Sequence, residues 1–265
     1  GYAEMLRSIR LRIEFIVQRK TKIAVTITST QSGDGKTFIS TNLAALYAMS
    51  GRPTVLLDMD IRKPNVHDKL GLATSNGVTN YLIGDCTLDD IILRNEAIGF
   101  DVIPAGTIPP NPGELIRSDK LTELLTILRE RYDYVVIDSS PVGLVPDALA
   151  LIEQTDITLF VIRCMETDKR FAQQTLQNLS LNHKDKINLI LSDVMVNKSG
   201  GSYGYGYGYG YGYGYGYGYG YGNGGAYNKY GKYGKYGKYA GYYRSKLGKK
   251  PTDAPHQYID DSDED

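Results

Sequence analysis

From residue 22 to residue 196 the chain alternates between two patterns of apolar positions. Short runs rich in Val, Ile and Leu, without strict polar alternation, occupy 22–28, 53–58, 101–103, 134–138, 158–163 and 187–196. Such runs read as strands covered on both faces. Between them, apolar residues return at helical spacing over 36–50, 113–131, 147–154 and 168–182. Strand–helix alternation predicts an α/β fold, a mostly parallel sheet with helices on both faces. Ahead of it, Met5, Ile9, Ile13 and Ile16 recur at helical spacing and predict one more amphipathic helix over 2–19.

The alternation stops after Gly200. Residues 203–222 are ten consecutive Tyr-Gly pairs, and a Lys-Tyr-Gly triplet repeats over 229–237. Leu247 is the sole large aliphatic residue between 203 and 250. A period of two would put every Tyr of a strand on one face, yet Gly weakens strands and loses the most entropy on ordering. With so little to bury, the segment is expected to be disordered. The chain therefore divides into a domain, 1–200, opened by a helix within 1–20, and a flexible Tyr/Gly-rich tail, 201–265.

Charge sharpens that division. The 30 basic and 30 acidic side chains of the 265 residues cancel only in sum. Residues 1–197 carry a net −3, residues 198–250 a net +9, and residues 251–265 a net −6. No apolar run approaches the roughly 18–20 residues of a membrane span, and no secretory signal opens the chain. The chain starts at Gly1 rather than Met and reads as a piece of a longer protein, so the lack of a membrane anchor here does not mean its lack in the parent. Cys86 and Cys164 are far apart and show no metal spacing, as befits free thiols in a reducing compartment. His67, His183 and His256 are scattered and read as surface or packing residues.

The candidate chemistry starts at the first strand. Residues 23–37 read as a strand, a small-residue loop and a helix, closing on Gly33-Asp34-Gly35-Lys36-Thr37. Loop N–H groups and a helix N-terminus aimed at one point favour an anion. In such a phosphate loop Lys36 reaches the β- and γ-phosphates and the Thr37 hydroxyl ligates Mg²⁺. Ser32, Gly33, Asp34, Gly35, Lys36, Thr37 and Phe38 are thus the nucleotide-binding candidates. The full pattern asks for Gly at position 30, where this chain has Thr30. Two further strands end in acids, Asp58-Met59-Asp60 and Asp138-Ser139-Ser140. Parallel sheets bind ligands at that same edge. Asp138 reads as the Walker B carboxylate on Mg²⁺, and Asp58 and Asp60 as a second acidic site near the γ-phosphate, with Asp58 also a metal candidate. Arg62 either contacts phosphate or holds Asp60.

With these residues in place, the chain resembles the cytoplasmic kinase domain of the bacterial tyrosine autokinases (BY-kinases) of the Wzc/CapB type. Those resemble MinD/ParA-type P-loop NTPases in fold but phosphorylate tyrosine. The likeness rests on residues 33–37 as Walker A and on Asp58-x-Asp60-x-Arg62-x-Pro64 as Walker A′. Asp138-Ser-Ser-Pro141 stands as Walker B, and a tyrosine cluster closes the chain. Pro104-Ala-Gly106 with Pro109-Pro-Asn-Pro-Gly-Glu-Leu115 resembles a family loop, and Glu4-x-x-Arg7-x-x-Arg10 the family's oligomerisation motif.

The resemblance implies an ATP- and Mg²⁺-dependent kinase with Lys36, Asp58, Asp60 and Asp138 as its catalytic groups. It implies a ring, typically of eight copies, held through Glu4, Arg7 and Arg10. Each tail then enters a neighbour's site to present Tyr203, Tyr205, Tyr207, Tyr209, Tyr211, Tyr227, Tyr230, Tyr233, Tyr236, Tyr239, Tyr242 or Tyr243. It also implies a transmembrane activator, an opposing tyrosine phosphatase, the cytoplasmic face of the bacterial inner membrane, and a role in capsule or exopolysaccharide synthesis or export.

The family's purine-contacting Asn has no clear counterpart, since Ser192-Asp193 stands near its place and Asn197 follows. The alternative function is a MinD/ParA-like ATPase switch without kinase activity. That switch carries a signature Lys near the start of the loop, and residues 28–35 contain none. A third reading makes the chain a scaffold with an adhesive tail, self-associating through stacking and cation–π contacts. Basic residues interleaved with aromatics suit single-stranded nucleic acid, but the acidic C-terminus opposes that, and no nucleic-acid partner is expected.

Overall fold

A computed structural model of the chain describes residues 2–194 except 19, 74, 75 and 95. The tail 201–265, its expected disorder and its acceptor tyrosines lie outside the described residues, as do Asn197 and the last two positions of the predicted final strand. Six strands, β1 (Ile23–Ser29), β2 (Thr54–Met59), β3 (Asp101–Ile103), β4 (Tyr134–Ser139), β5 (Ile157–Arg163) and β6 (Ile187–Ser192), form one sheet in the order β3-β2-β4-β1-β5-β6. Every pairing is parallel. All residues of β1, β2 and β4 are buried, which is why their sequences run apolar without alternation.

The helices take both faces. Alternate strand residues such as Val55, Leu57, Val135 and Ile137 meet Leu121, Leu124 and Leu128 of α7 (Asp119–Arg131) and Leu151 of α8 (Asp147–Gln154). On the other face Val25, Ile27, Leu56 and Val136 meet Ile13 and Val17 of the N-terminal segment and Ile39, Leu43 and Tyr47 of α2 (Lys36–Ala48). Tyr47 stacks on Tyr134 with ring centres 3.7 Å apart, and Arg52 sits 5.3 Å from the Tyr134 ring. A smaller cluster of Ile152, Phe160 and Leu179 seats α9 (Lys169–His183).

Several boundaries differ from the sequence expectation for local reasons. The single helix predicted over 113–131 is two, α6 (Pro112–Ile116) and α7, because the Ser118 hydroxyl accepts the Leu121 N–H and starts a new helix. Asp168 lies just outside α9 as its cap, accepting Phe171 N–H at 2.7 Å. The last strand stops at Ser192, where Asp193 turns left-handed (φ 53°). Three short helices escaped periodicity because none completes two turns: α3 (Val66–Leu70), α4 (Val78–Ile83) and α5 (Leu88–Ile91). The inward face of α1 (Tyr2–Ile16) is Leu6, Ile9 and Ile13, continued by Val17, while Ile16 is 43% exposed. The predicted stripe therefore holds at Ile9 and Ile13 and fails at Ile16, where Val17 turns inward instead; α1 packs against α2 and Arg10 reaches the Leu46 carbonyl.

The loop after β4 is stitched to β1. The Thr28 hydroxyl donates to the Ser140 carbonyl (2.9 Å) and accepts the Val142 N–H (3.1 Å). A Cβ on Gly143 would stand 2.3 Å from the Thr30 carbonyl oxygen. Gly143→Ala must therefore push two backbones apart and is expected to lose about 1–3 kcal/mol of stability. Gly113→Ala, whose Cβ meets only ordinary contacts at 3.5 Å or more, is expected to stay within about 1 kcal/mol of wild type. Denaturant unfolding of the two variants checks both.

Candidate active site

The loop joining β1 to α2 is shaped by two glycines in the left-handed region, Gly33 (φ 92°) and Gly35 (φ 100°). A Cβ at Gly33 would meet nothing, so the requirement there is conformational rather than spatial. Thr30 is fully buried, its hydroxyl has no partner, and its φ is not positive. That explains how the chain dispenses with Gly at this position. Gly35 precedes α2 without any side-chain cap, which leaves the first-turn N–H groups open to an anion. Lys36 and Thr37 open the helix and are only 7% and 9% exposed.

The sequence-predicted loop residues divide by position. Ser32 and Gly33 are on the open side of the loop, and Phe38 is half-buried against the core. Asp34 is fully buried behind the loop, where its carboxylate accepts the Gln31 N–H (3.1 Å) and the Thr167 hydroxyl (2.7 Å).

Asp58 and Asp138 are direct neighbours in the β2–β4 register and both are buried. Asp58 accepts three backbone N–H groups, from Asp60 (3.2 Å), Asn65 (3.3 Å) and Val66 (3.2 Å). Burial, and then the charge of Asp138, push its carboxyl well above the usual range. Burial also raises Asp138, against the hydrogen bond from Thr37 and the charge of Lys36, which hold it down. The other oxygen of Asp138, Oδ1, is buried without a hydrogen-bond partner. An acceptor left open beside a threonine hydroxyl fits a hard cation. Among the described residues no three His, Cys, Asp or Glu side chains converge. Mg²⁺ needs no such cage, since one or two carboxylates and phosphate oxygens hold it.

Asp60 is half-buried, and its Oδ1 accepts the Ser140 hydroxyl at 2.8 Å and the Lys63 N–H at 3.3 Å. Arg62 feels the charge of Asp60 but its direct ion pair is elsewhere. Its guanidinium makes a two-point pair with Asp147 at the start of α8. Lys69 on α3 was not singled out from sequence. Desolvation draws its pKa down while Asp138 and Asp58 pull it up and Lys36 opposes them. It thus stands within electrostatic reach of the acidic pair, with no motif to announce it. Arg163 at the end of β5 and Thr167 in the turn after it brace the loop and were also missed, and Ser192, noted from sequence only as standing near the purine-contacting place, braces it from β6. Ser192 Oγ reaches the Asp34 carbonyl (3.2 Å), and Asp193 pairs with Arg163 (2.7 Å). The oligomerisation candidates lie elsewhere, on α1. Glu4 and Arg7 are exposed, whereas Arg10 is half-buried on Leu46 and Glu14.

Comparison with known proteins agrees with this geometry. Residues 21–192 match the family model described as AAA domain. The tyrosine-protein kinase ptk of Acinetobacter johnsonii is 35% identical over 74% of this chain, which spans 27% of that relative's length. The tyrosine-protein kinase YwqD of Bacillus subtilis is 32% identical over 76% of this chain and 86% of its own. Among solved structures, the kinase domain of the Escherichia coli tyrosine kinase ETK superposes with a TM-score of 0.69. It is 30% identical, over 77% of this chain and 80% of that one. The septum site-determining protein MinD of Pyrococcus horikoshii, complexed with Mg-ADP, shares the fold. Its TM-score is 0.52 and its identity 23%, over 63% of this chain and 68% of that one.

The acidic pair sets a pH dependence. Both carboxyls bind protons more tightly in the folded chain, so stability is greatest below the ordinary carboxylate pKa of about 4 as far as this pair is concerned. It declines as the pH climbs toward the Asp58 value of about 8. The nucleotide-free protein is expected to melt lower at pH 8.5 than at pH 6, by about 2–4 °C for each kcal/mol lost. Asp138→Asn, which removes one charge and keeps an acceptor for Thr37, is expected to flatten the slope. Calorimetric scans across that range check it.

Proposed function

The chain belongs to the AAA domain family and, within it, to the bacterial tyrosine-protein kinases, and on that premise we propose that it is an ATP-dependent tyrosine autokinase acting on its own C-terminal tail in trans. The observation that supports this most is the buried Asp58–Asp138 pair beside Lys36 and Thr37. A phosphate loop needs one carboxylate for its metal. A second one, raised in pKa and held by three N–H groups, is suited to take a proton near neutral pH.

In this reading the uncapped start of α2 and Lys36 hold the β- and γ-phosphates of ATP. Thr37 and Asp138 would hold Mg²⁺, which supplies charge neutralisation between those phosphates when bound. A tail tyrosine oxygen attacks the γ-phosphorus in line, the bond to the β-phosphate oxygen breaks, and ADP leaves. Asp58 takes the tyrosine proton, with Asp60 as the second choice. Tyrosine has an ordinary pKa of about 10, so the acceptor has work to do. Glycine beside each ring leaves little bulk, so many registers of the Tyr-Gly run (Tyr203 to Tyr221 at alternate positions) can enter a narrow site.

Delivery in trans requires neighbours. Glu4 and Arg7 on the outer side of α1 carry the proposed ring contact, in a ring of eight, with Arg10 fixing α1 to α2 behind them. No helix among the described residues is long and apolar enough to cross a membrane. The proposed seat at the cytoplasmic face of the inner membrane therefore relies on a transmembrane activator, either a further part of the protein or a separate chain. A tyrosine phosphatase would reverse the modification, and the process regulated would be capsule or exopolysaccharide synthesis or export. The +9 charge of residues 198–250 would be cancelled by about five phosphates at about −1.5 to −2 each. Further phosphates would then repel the acidic head and release the ring.

Intact mass of the full chain after incubation with ATP and Mg²⁺ tests the proposal. A ladder of added phosphates is expected, absent in Lys36→Met. Asp58→Asn is expected to slow the ladder by about 10²-fold or more while ADP still binds. ADP release without added mass, with the activator present, would make the chain an ATPase switch and overturn the kinase reading.

A further inference from the structure

The phosphate loop is braced from behind by the turn between β5 and α9, which takes no part in the proposed chemistry. Its centre is Thr167. The Thr167 hydroxyl accepts the Arg163 N–H at 2.8 Å and donates to Asp34 Oδ1 at 2.7 Å. The second Asp34 oxygen accepts the Gln31 N–H at 3.1 Å, across the loop itself. Around this pair, Gln31 Nε2 donates to the Glu166 carbonyl (3.2 Å), and Arg163 reaches the Gly33 carbonyl (3.4 Å). Met165 adopts a left-handed φ of 68° at the tip of the turn.

We infer that Thr167 is a positioning residue of the phosphate loop, acting through the buried carboxylate of Asp34. A carboxylate with no exposure is costly unless its lone pairs are used, and Asp34 is fully buried. It also lies in a loop meant to hold a polyphosphate, where another negative charge is unwelcome. Thr167 resolves both problems. A hydroxyl has one proton and two acceptor sites. The Arg163 N–H occupies the acceptor side, so the proton is committed to Asp34. That bond keeps the carboxylate turned away from the phosphate side and, through the Gln31 N–H, fixes the curvature of residues 31–34. Nucleotide affinity thus depends on a residue 133 positions away that does not touch the nucleotide.

The inference rests on the nucleotide-site reading, and the test separates the two. ADP affinity of the full chain is measured by titration calorimetry, ATP kinetics by phosphate incorporation, and Tm without nucleotide. Thr167→Val, which is isosteric but lacks donor and acceptor, is expected to weaken ADP binding about tenfold or more and raise KM for ATP alike. Its kcat is expected to stay close to wild type, the pattern of lost uniform binding. Thr167→Ser restores the hydroxyl and is expected to bind ADP within about threefold of wild type. Asp34→Asn removes the charge, so adding Thr167→Val to it is expected to cost little more. Wild-type affinity in Thr167→Val, equal losses in Thr167→Ser and Thr167→Val, or full additivity in the double variant would each overturn the inference. The double variant decides the matter even if Thr167→Val melts early. A wild-type chain that bound no ADP would overturn the nucleotide site and this inference with it.

Discussion

Asp58 and Asp138 lie side by side on neighbouring strands, out of water, and the surroundings of the site are arranged to make that tolerable. Two like charges in a low-dielectric interior raise one another's proton affinity, and each needs donors or a cation. Asp58 finds its donors in three N–H groups, two of which begin α3, so the placement of that short helix follows from the charge it serves. Asp138 has Thr37 and the field of Lys36, and keeps one oxygen open. The same pair that destabilises the nucleotide-free protein at high pH is the one proposed to hold a metal and move a proton.

The phosphate loop is positioned from several sides at once. The β4–α8 loop closes on Thr30 so tightly that Gly143 has no room for a side chain. The β5–α9 turn grips Asp34 and Gly33, and the end of β6 reaches the Asp34 carbonyl through Ser192. Arg62 belongs to this scaffolding, joining the segment after β2 to the start of α8 through Asp147. A loop so constrained is pre-organised, and electrostatic catalysis of phosphoryl transfer draws its strength from groups that need not move. The described residues end at Val194, just beyond Ser192, whose hydroxyl reaches the Asp34 carbonyl of the loop.

Much of this was legible in the order of residues. Continuous Val/Ile/Leu runs predicted all six strands to within a residue or two at most ends, because a strand buried on both faces must be apolar at every position. The loop signature, Asp58, Asp60 and Asp138 were legible because their chemistry depends on local spacing: a strand, a turn and a helix start. The split at Ser118, the burial of Leu6 and Val17 in place of Ile16, and the three short helices were not. Each depends on a cap, a packing partner or a length too short for a period to register.

The sequence alone determined a parallel α/β sheet, a phosphate loop at its carboxyl edge, two acidic strand ends and a Tyr-Gly tail of opposite charge to the domain. Only the tertiary structure decided which side chains lie together at the loop and the acidic pair and which brace them. Asp34 reads as a loop residue in sequence and is buried against Thr167 in space; Arg62 reads as a contact to phosphate or to Asp60 and pairs with Asp147; Lys69 and Thr167 carry no signal at all. Roles of this kind are set by contacts between residues from 80 to 133 positions apart. Those contacts form only once the strand order is fixed, so no local pattern in the chain can encode them.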